Sequence, residues 1–195
     1  MNEPIELPAG ACDTHLHVYD HRYPVAPAAV LRPPDASADD YRRLQRAIGL
    51  ERLVLIQPTT YGLDNSLHLE TMAAFGDAAR GVMVVDADTT EAELRRLTEL
   101  GVRGARFHML PGGAVGWDAM DAVAGSIADL GWHIQLQLNA VELAQHRDRL
   151  LGLPTPLVID HIGRFTPPPA LDHPSVELLF DLLERGRTWV KLSAP

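Results

Sequence analysis

The amino-acid sequence predicts an α/β fold, a (β/α)8 barrel of parallel strands. Three observations carry this expectation. Short apolar runs alternate with helix-period segments from Ala11 onward, and such strict alternation calls for parallel strands joined by helical crossovers. The first strand-to-helix loop begins His15-Leu-His17-Val-Tyr-Asp20 and lacks the G-x-G-x-x-G that a doubly wound sheet usually places there. Polar residues recur at the strand ends, as His17, Gln57, Asp86, His108, Asn139, His161 and Ser193, where a barrel gathers its active-site groups.

The elements follow in order. Residues 11–18 read as the first strand, followed by a loop rich in proline (Pro24, Pro27, Pro33, Pro34). Ser37 can cap a helix carrying Tyr41, Leu44 and Ile48 on one face. Residues 53–56 are wholly apolar, as in a buried parallel strand. Asp64-Asn65 can cap a second helix bearing Leu69, Met72 and Phe75, and residues 81–85 form a third strand. Thr90-Glu-Ala-Glu93 has capping-box spacing before Leu94 and Leu97, with Gly101 as the stop. Residues 103–107 make a fourth strand, and the helix after Pro111-Gly-Gly113 carries Met120, Val123, Ile127 and Leu130. Residues 133–138 make a fifth strand, 141–151 a fifth helix and 157–159 a sixth strand. Pro174 suits the first turn of a helix bearing Val176, Leu179 and Leu183, and residues 189–192 form a seventh strand. A barrel of this kind takes about 250 residues. The expectation for residues 1–195 is therefore one barrel domain truncated after strand 7, without the last helix and strand 8.

Composition narrows the function classes. The chain of 195 residues is 46% hydrophobic and 22% charged, with a formal net charge of -9. That is ordinary globular composition. The acidic balance argues against nucleic acid or an anionic membrane as partner; a small-molecule ligand meeting a local cationic patch fits. Cys12 is the single cysteine, so no internal disulfide forms. No cationic start leads into an apolar run, and no stretch approaches the ~18 apolar residues of a membrane span. A cytoplasmic protein is expected.

The chemistry concentrates in two places. Asp13, His15 and His17 alternate along the first strand, and period two would place all three on one face. Imidazoles ~7 Å apart on a strand can converge on a metal ion or on a polarised carbonyl. The second place is Asp160-His161-Ile-Gly-Arg164, where an apolar strand ends abruptly in polar residues. His161 at a barrel mouth can face the first-strand pair, or merely satisfy a loop carbonyl. Arg164 can meet a substrate carboxylate or form a surface ion pair. Gln57, Thr59, Thr60 and Tyr61 follow the second strand and can line the pocket. His108 can contact substrate or a metal. His68 and His146 read as helix-surface residues and His133 as the start of a strand.

Several motifs together resemble the amidohydrolase superfamily: Cys12-Asp-Thr-His-Leu-His17, Val54-Leu-Ile-Gln-Pro58 with Tyr61-Gly-Leu-Asp-Asn65, Arg80-Gly-Val82, Gly101-Val-Arg-Gly-Ala-Arg-Phe107, Leu130-Gly-Trp-His133 and Ile159-Asp-His-Ile-Gly-Arg164. The nearest branch is the one containing pyrone-dicarboxylate lactonase and galactarolactone isomerase. The resemblance implies a distorted (β/α)8 barrel. The superfamily's fourth-strand Lys and fifth-strand His have no counterpart in Ala105-Arg-Phe-His108 and Gln135-Leu-Gln-Leu-Asn139, so no metal cofactor is expected, as in the lactonase branch. By resemblance, His15, His17 and His161 polarise a lactone carbonyl. Arg106, or alternatively Arg103, grips a substrate carboxylate. The eighth-strand Asp that acts as the family's general base lies outside this chain. Gln137 stands where the dicarboxylate lactonase has Tyr, which leans toward a hydroxylated sugar-acid lactone that Gln137 and Asn139 could bind. The leading expectation is hydrolysis of a small carboxylated lactone. Its alternatives are isomerisation of a sugar-acid lactone, a mononuclear zinc hydrolase or decarboxylase using Asp13, His15, His17 and His161, and an inactive fragment or binding module.

Overall fold

The computed structural model describes residues 7–193. Seven strands form one sheet: β1 (Cys12–Leu16), β2 (Arg52–Ile56), β3 (Ala79–Met83), β4 (Val102–His108), β5 (His133–Gln137), β6 (Leu157–Ile159) and β7 (Thr188–Val190). Each pairs in parallel with the next in chain order. Six helices supply the crossovers: α1 (Ala38–Ile48), α2 (Ser66–Phe75), α3 (Glu91–Glu99), α4 (Trp117–Ala128), α5 (Arg147–Gly152) and α6 (Pro174–Glu184). The sheet curls far enough for Lys191, just past β7, to donate to the Thr14 carbonyl on β1 at 3.1 Å. The architecture is the expected (β/α) barrel with seven strands. Among the described residues no strand pairs β7 to β1.

Local chemistry sets the helix starts. The Ser37 side chain accepts from the Asp40 amide, and the Asp40 carboxylate accepts from the Ser37 amide, a complete capping box. Thr90 caps α3, and Pro174 opens α6 behind a His173 side chain that accepts from Ser175. The core lies between sheet and helices, with Leu55, Ile56, Met83, Phe107, Met120, Ile127, Trp132, Ile134 and Leu136 fully buried. Each such side chain stabilises the fold by about 1.5–3 kcal/mol.

Four expectations about elements change. The fifth helix over 141–151 splits into a 3-10 segment, Ala140–His146, followed by α5. Ser175 causes the interruption, since its hydroxyl donates to the Val141 carbonyl and accepts from the Ala144 amide. A side chain inserted into the helical ladder breaks it. β3 ends at Met83 rather than at residue 85 because the Asn65 side-chain amide, acting like a strand partner, bonds both the amide and the carbonyl of Val84. Asn65, at the N-cap position of α2, therefore makes no side-chain cap bond, while the Asp64 carboxylate accepts from the Ser66 amide. On α1 Tyr41 is buried, but Leu44 and Ile48 are exposed.

Candidate active site

The first-strand motif does not keep strict alternation. The β1–β2 register slips between Asp13 and Leu16, and a bulge of this kind re-aims side chains. The Asp13 carboxylate accordingly accepts from the Tyr41 hydroxyl of α1 and from the His15 amide. It does not join the histidines. His15 and His17 stay together, with ring centroids 5.0 Å apart, and His161 lies 4.7 Å from His15. His17 Nδ1 sits 2.7 Å from the Ile56 carbonyl at the end of β2. His15 Nε2 is buried with no hydrogen-bond partner among the described residues.

His161 is placed by an unusual turn. Asp160 is followed by His161, Ile162, Gly163 and Arg164 at φ values of 54°, 55°, 75° and 46°. Left-handed backbone costs roughly 1–2 kcal/mol for each non-glycine residue. Gly163 is required there, because a Cβ would come 2.8 Å from that of Ala140. The turn is fastened to the end of β7: the Ile162 amide donates to the Lys191 carbonyl, and the Lys191 amide donates to the Ile159 carbonyl. His161 Nδ1 lies 3.0 Å from the Ser193 hydroxyl. Residues held at such φ values persist only where the surrounding structure over-determines them.

The centre of the constellation is Asp160, 1% exposed. Its Oδ2 accepts from Gln135 Nε2 at 3.0 Å and lies 3.9 Å from the Arg106 guanidinium. Its Oδ1 lies 3.5 Å from both Lys191 Nζ and His15 Nδ1, an ion-pair distance rather than a formed hydrogen bond. Lys191 Nζ also meets the Thr14 carbonyl, Gln135 Oε1 and His15 Nδ1 at 3.1, 2.9 and 3.1 Å. Burial pushes the Asp160 carboxyl up, but the surrounding charges, the Lys191 ammonium and the Arg106 guanidinium among them, outweigh it and hold it well below the usual carboxylate range. Burial also drives His17 well below its ordinary value, with Arg106 adding to the effect. Burial and then Arg106 bring His108 down to about 4. His17 and His108 are therefore neutral at pH 7.

The other sequence candidates divide. Arg106 is buried and donates to the Gln57 carbonyl and to Gln137 Oε1, both at 2.6 Å. Arg103, three residues earlier, lies on the opposite face of β4 as period two requires. It is exposed and donates to the Thr98 carbonyl near the end of α3, away from the histidines. Gln57 and Thr59 line a small recess with Arg106 and His108. The Gln57 amide is spent on the Gly62 and Asp64 carbonyls. Tyr61 is buried, its hydroxyl bonded to the Asp20 backbone. Asn139 pins the Thr166 backbone and caps the 3-10 segment. Arg164 is exposed and makes no side-chain hydrogen bond among the described residues. His68 is fully buried, accepting from the Val18 amide, rather than on a helix surface, and His146 stacks on Trp117. His133 does begin β5.

Asp160, Gln135 and Lys191 carry the charge network and were not assigned roles from the sequence. The available signal was polar residues inside otherwise apolar strands, which are costly unless paired. For a metal, His15, Asp160 and His161 bring one ligand atom each within 4.8 Å of one another. Asp13 and His17 do not belong to that group. Lys191 already stands against two of its three members.

Comparison with known proteins agrees with this fold. A family model described as amidohydrolase matches residues 12–195. The chain is 36% identical over 189 residues to D-galactarolactone isomerase of Agrobacterium fabrum, covering 96% of this chain and 65% of that protein. It is 35% identical over 195 residues to 2-pyrone-4,6-dicarbaxylate hydrolase of Comamonas testosteroni, covering 97% and 64%. The crystal structure of a probable 2-pyrone-4,6-dicarboxylic acid hydrolase from Acinetobacter baumannii, with citric acid bound, superimposes with a TM-score of 0.85 at 25% identity, covering 95% of this chain and 70% of that one. The chain thus spans about 65% of the length of the curated relatives it matches.

Proposed function

The chain belongs to the amidohydrolase family, and on that premise we propose that it serves hydrolysis of a small carboxylated lactone. The observation that carries the reading is the convergence of His15, His17 and His161 at the C-terminal strand ends, where barrels perform their chemistry. A lactone carbonyl seated against His15 Nε2 and His161 receives hydrogen bonds that strengthen as negative charge develops on its oxygen. That is the electrostatic stabilisation on which acyl transfer depends. Water adds to the polarised carbon as Nε2 of His17, whose Nδ1 donates to the Ile56 carbonyl, takes its proton; the ring acyl C–O bond then breaks and the departing oxygen receives that proton, leaving the open-chain acid. Arg164, exposed and uncommitted at the mouth, holds the substrate carboxylate. Arg106, buried and doubly bonded, keeps Gln57 and Gln137 in place beneath it. The citric acid bound by the Acinetobacter relative and the carboxylated substrate in the Comamonas relative's name support a carboxylate ligand.

The chemistry proceeds without a metal in this reading. The group formed by His15, Asp160 and His161 suits a divalent cation poorly, because Lys191 and Arg106 already neutralise Asp160. A second reading, isomerisation of a sugar-acid lactone, is favoured by Gln137, a buried amide beside Arg106 that suits a substrate hydroxyl. There a hydroxyl of the substrate replaces water as nucleophile.

The test is incubation of the chain with D-galactarolactone and with 2-pyrone-4,6-dicarboxylate, following ring opening or ring migration by proton NMR in metal-free buffer. Hydrolysis of either lactone is expected. Failure to bind or turn over both, or activity that requires stoichiometric zinc, would overturn the corresponding part of the proposal.

A further inference from the structure

We propose that Lys191 is a positioning residue that fixes the tautomer of His15 and so gives the two first-strand imidazoles opposite hydrogen-bonding polarity. The inference rests on the functional reading above for its purpose, but not for its geometry.

An ammonium has three N–H donors and no acceptor. Lys191 Nζ has three acceptors within 3.1 Å: the Thr14 carbonyl, Gln135 Oε1 and His15 Nδ1. All three are satisfied only if His15 Nδ1 offers a lone pair. The ring proton of neutral His15 then resides on Nε2, the buried nitrogen that has no partner among the described residues. It is a donor facing the site, as polarisation of a carbonyl oxygen requires.

His17 is set the other way. Its Nδ1 lies 2.7 Å from the Ile56 carbonyl, which can only accept, so Nδ1 carries the proton. Nε2 of neutral His17 is then an acceptor. Rings 5.0 Å apart therefore present one N–H and one lone pair. The first suits a carbonyl oxygen, and the second suits the hydroxyl of water or of a polyol substrate. Three equivalent carbonyl-polarising histidines become a donor and an acceptor, with His161 beside them.

Asp160 supplies the competing influence. Its Oδ1 is 3.5 Å from the same His15 Nδ1, and a carboxylate favours a proton on the nitrogen that it faces. Lys191 is closer, at 3.1 Å. Removing the ammonium leaves Asp160 alone with that nitrogen and should reverse the tautomer.

The experiment is long-range proton–nitrogen NMR at pH 7 on the full chain with 15N-labelled imidazoles. His15→Gln and His17→Gln assign those two residues among the nine histidines. Wild type is expected to show His15 protonated on Nε2 and His17 on Nδ1. Lys191→Met should move the His15 proton to Nδ1 and leave His17 unchanged, whereas Lys191→Arg should retain the wild-type pattern. A wild-type His15 protonated on Nδ1, or on both nitrogens, would overturn the proposal. So would an unchanged His15 in folded Lys191→Met. If Lys191→Met does not fold, the wild-type and Lys191→Arg spectra still decide it. The readout needs no substrate, so the expected tautomers in a chain that binds no lactone would sink the functional reading alone.

Discussion

Replacing Asp160 by asparagine keeps the shape of the side chain and removes its charge. In the native structure the carboxylate lies 3.5 Å from Lys191 and 3.9 Å from Arg106. It is effectively shielded from water, at 1% exposure. Asp160→Asn therefore leaves an ammonium and a guanidinium in the barrel interior with no anion between them. Breaking a buried ionic group by removing one partner costs about 3–5 kcal/mol, a large share of the roughly 5–15 kcal/mol available to a domain. With a urea dependence of about 2 kcal/mol per molar, the unfolding midpoint should fall by about 2 M. Equilibrium urea unfolding at pH 7, followed by tryptophan fluorescence, measures this. The double variant Asp160→Asn/Lys191→Met should recover about 1–2 kcal/mol, because one uncompensated cation is gone. The pH dependence has a definite sign. The folded carboxyl is held below its unfolded value, so its contribution is complete above the ordinary carboxylate range, near about 4, begins to fall below it, and is fully lost only as pH drops through the depressed folded value. Wild type and variant should converge in acid. A single-variant loss below about 1 kcal/mol, or no recovery in the double variant, would refute the placement of Asp160 as the charge hub.

The other expectations concern neighbouring features. His161→Gly should lower lactone turnover by on the order of 10²–10³, the effect of losing one oxyanion donor. It should leave stability unchanged or raise it by up to about 1 kcal/mol, since glycine relieves the φ of 54°; equal losses of activity and stability would remove His161 from the site. Arg103→Ala should change stability by no more than about 0.5 kcal/mol and leave KM untouched, because Arg103 is exposed and turned toward Thr98; a rise in KM would count against that placement. Burial brings His68 down to about 3 and His133 to about 4. Unfolded imidazoles titrate near about 6.5, so their contribution is present above that value and lost as pH falls toward 4. Each should contribute a slope of up to about 1.4 kcal/mol per pH unit. A melting temperature flat between pH 6.5 and 4.5 would contradict it.

Much of the barrel was legible because its signals are local. Apolar runs such as residues 53–56, the capping groups Ser37 and Thr90, and Pro174 at the first turn of α6 each act within a few residues, and each element appeared in the expected order. The misreadings arose where distant side chains intervened. Ser175 interrupts the fifth helix from α6, and Asn65 ends β3 from the start of α2. His68 appeared surface-like by helix pattern, yet its ring is held by the Val18 amide fifty residues away. The same applies to Asp13. Period two assigned it to the histidine face, and a slip in the β1–β2 register, invisible in β1 alone, turned it to Tyr41.

The charge network shows why motif spacing understated the site. His15, Arg106, Gln135, Asp160 and Lys191 come from or follow five different strands, and their meeting depends on the curl of the sheet as much as on residue type. Once assembled, the network bears directly on metal binding. A divalent cation placed about 4 Å from the Lys191 ammonium would meet a repulsion on the order of 8 kcal/mol at an effective dielectric of 20. The favourable contacts of Asp160 would have to exceed this while it remained paired to Arg106. Under the proposed reading, Lys191 and Arg106 supply from within the protein the positive charge that a metal would bring to Asp160. Under the proposed reading, the ammonium also does for His15 what a hydrogen-bonding second shell does for a metal-bound imidazole: it decides which nitrogen faces the substrate. The absence of a fourth-strand lysine and a fifth-strand histidine from the sequence and the presence of Lys191 at the carboxylate are then two sides of one arrangement, in which fixed side-chain cations organise the imidazoles.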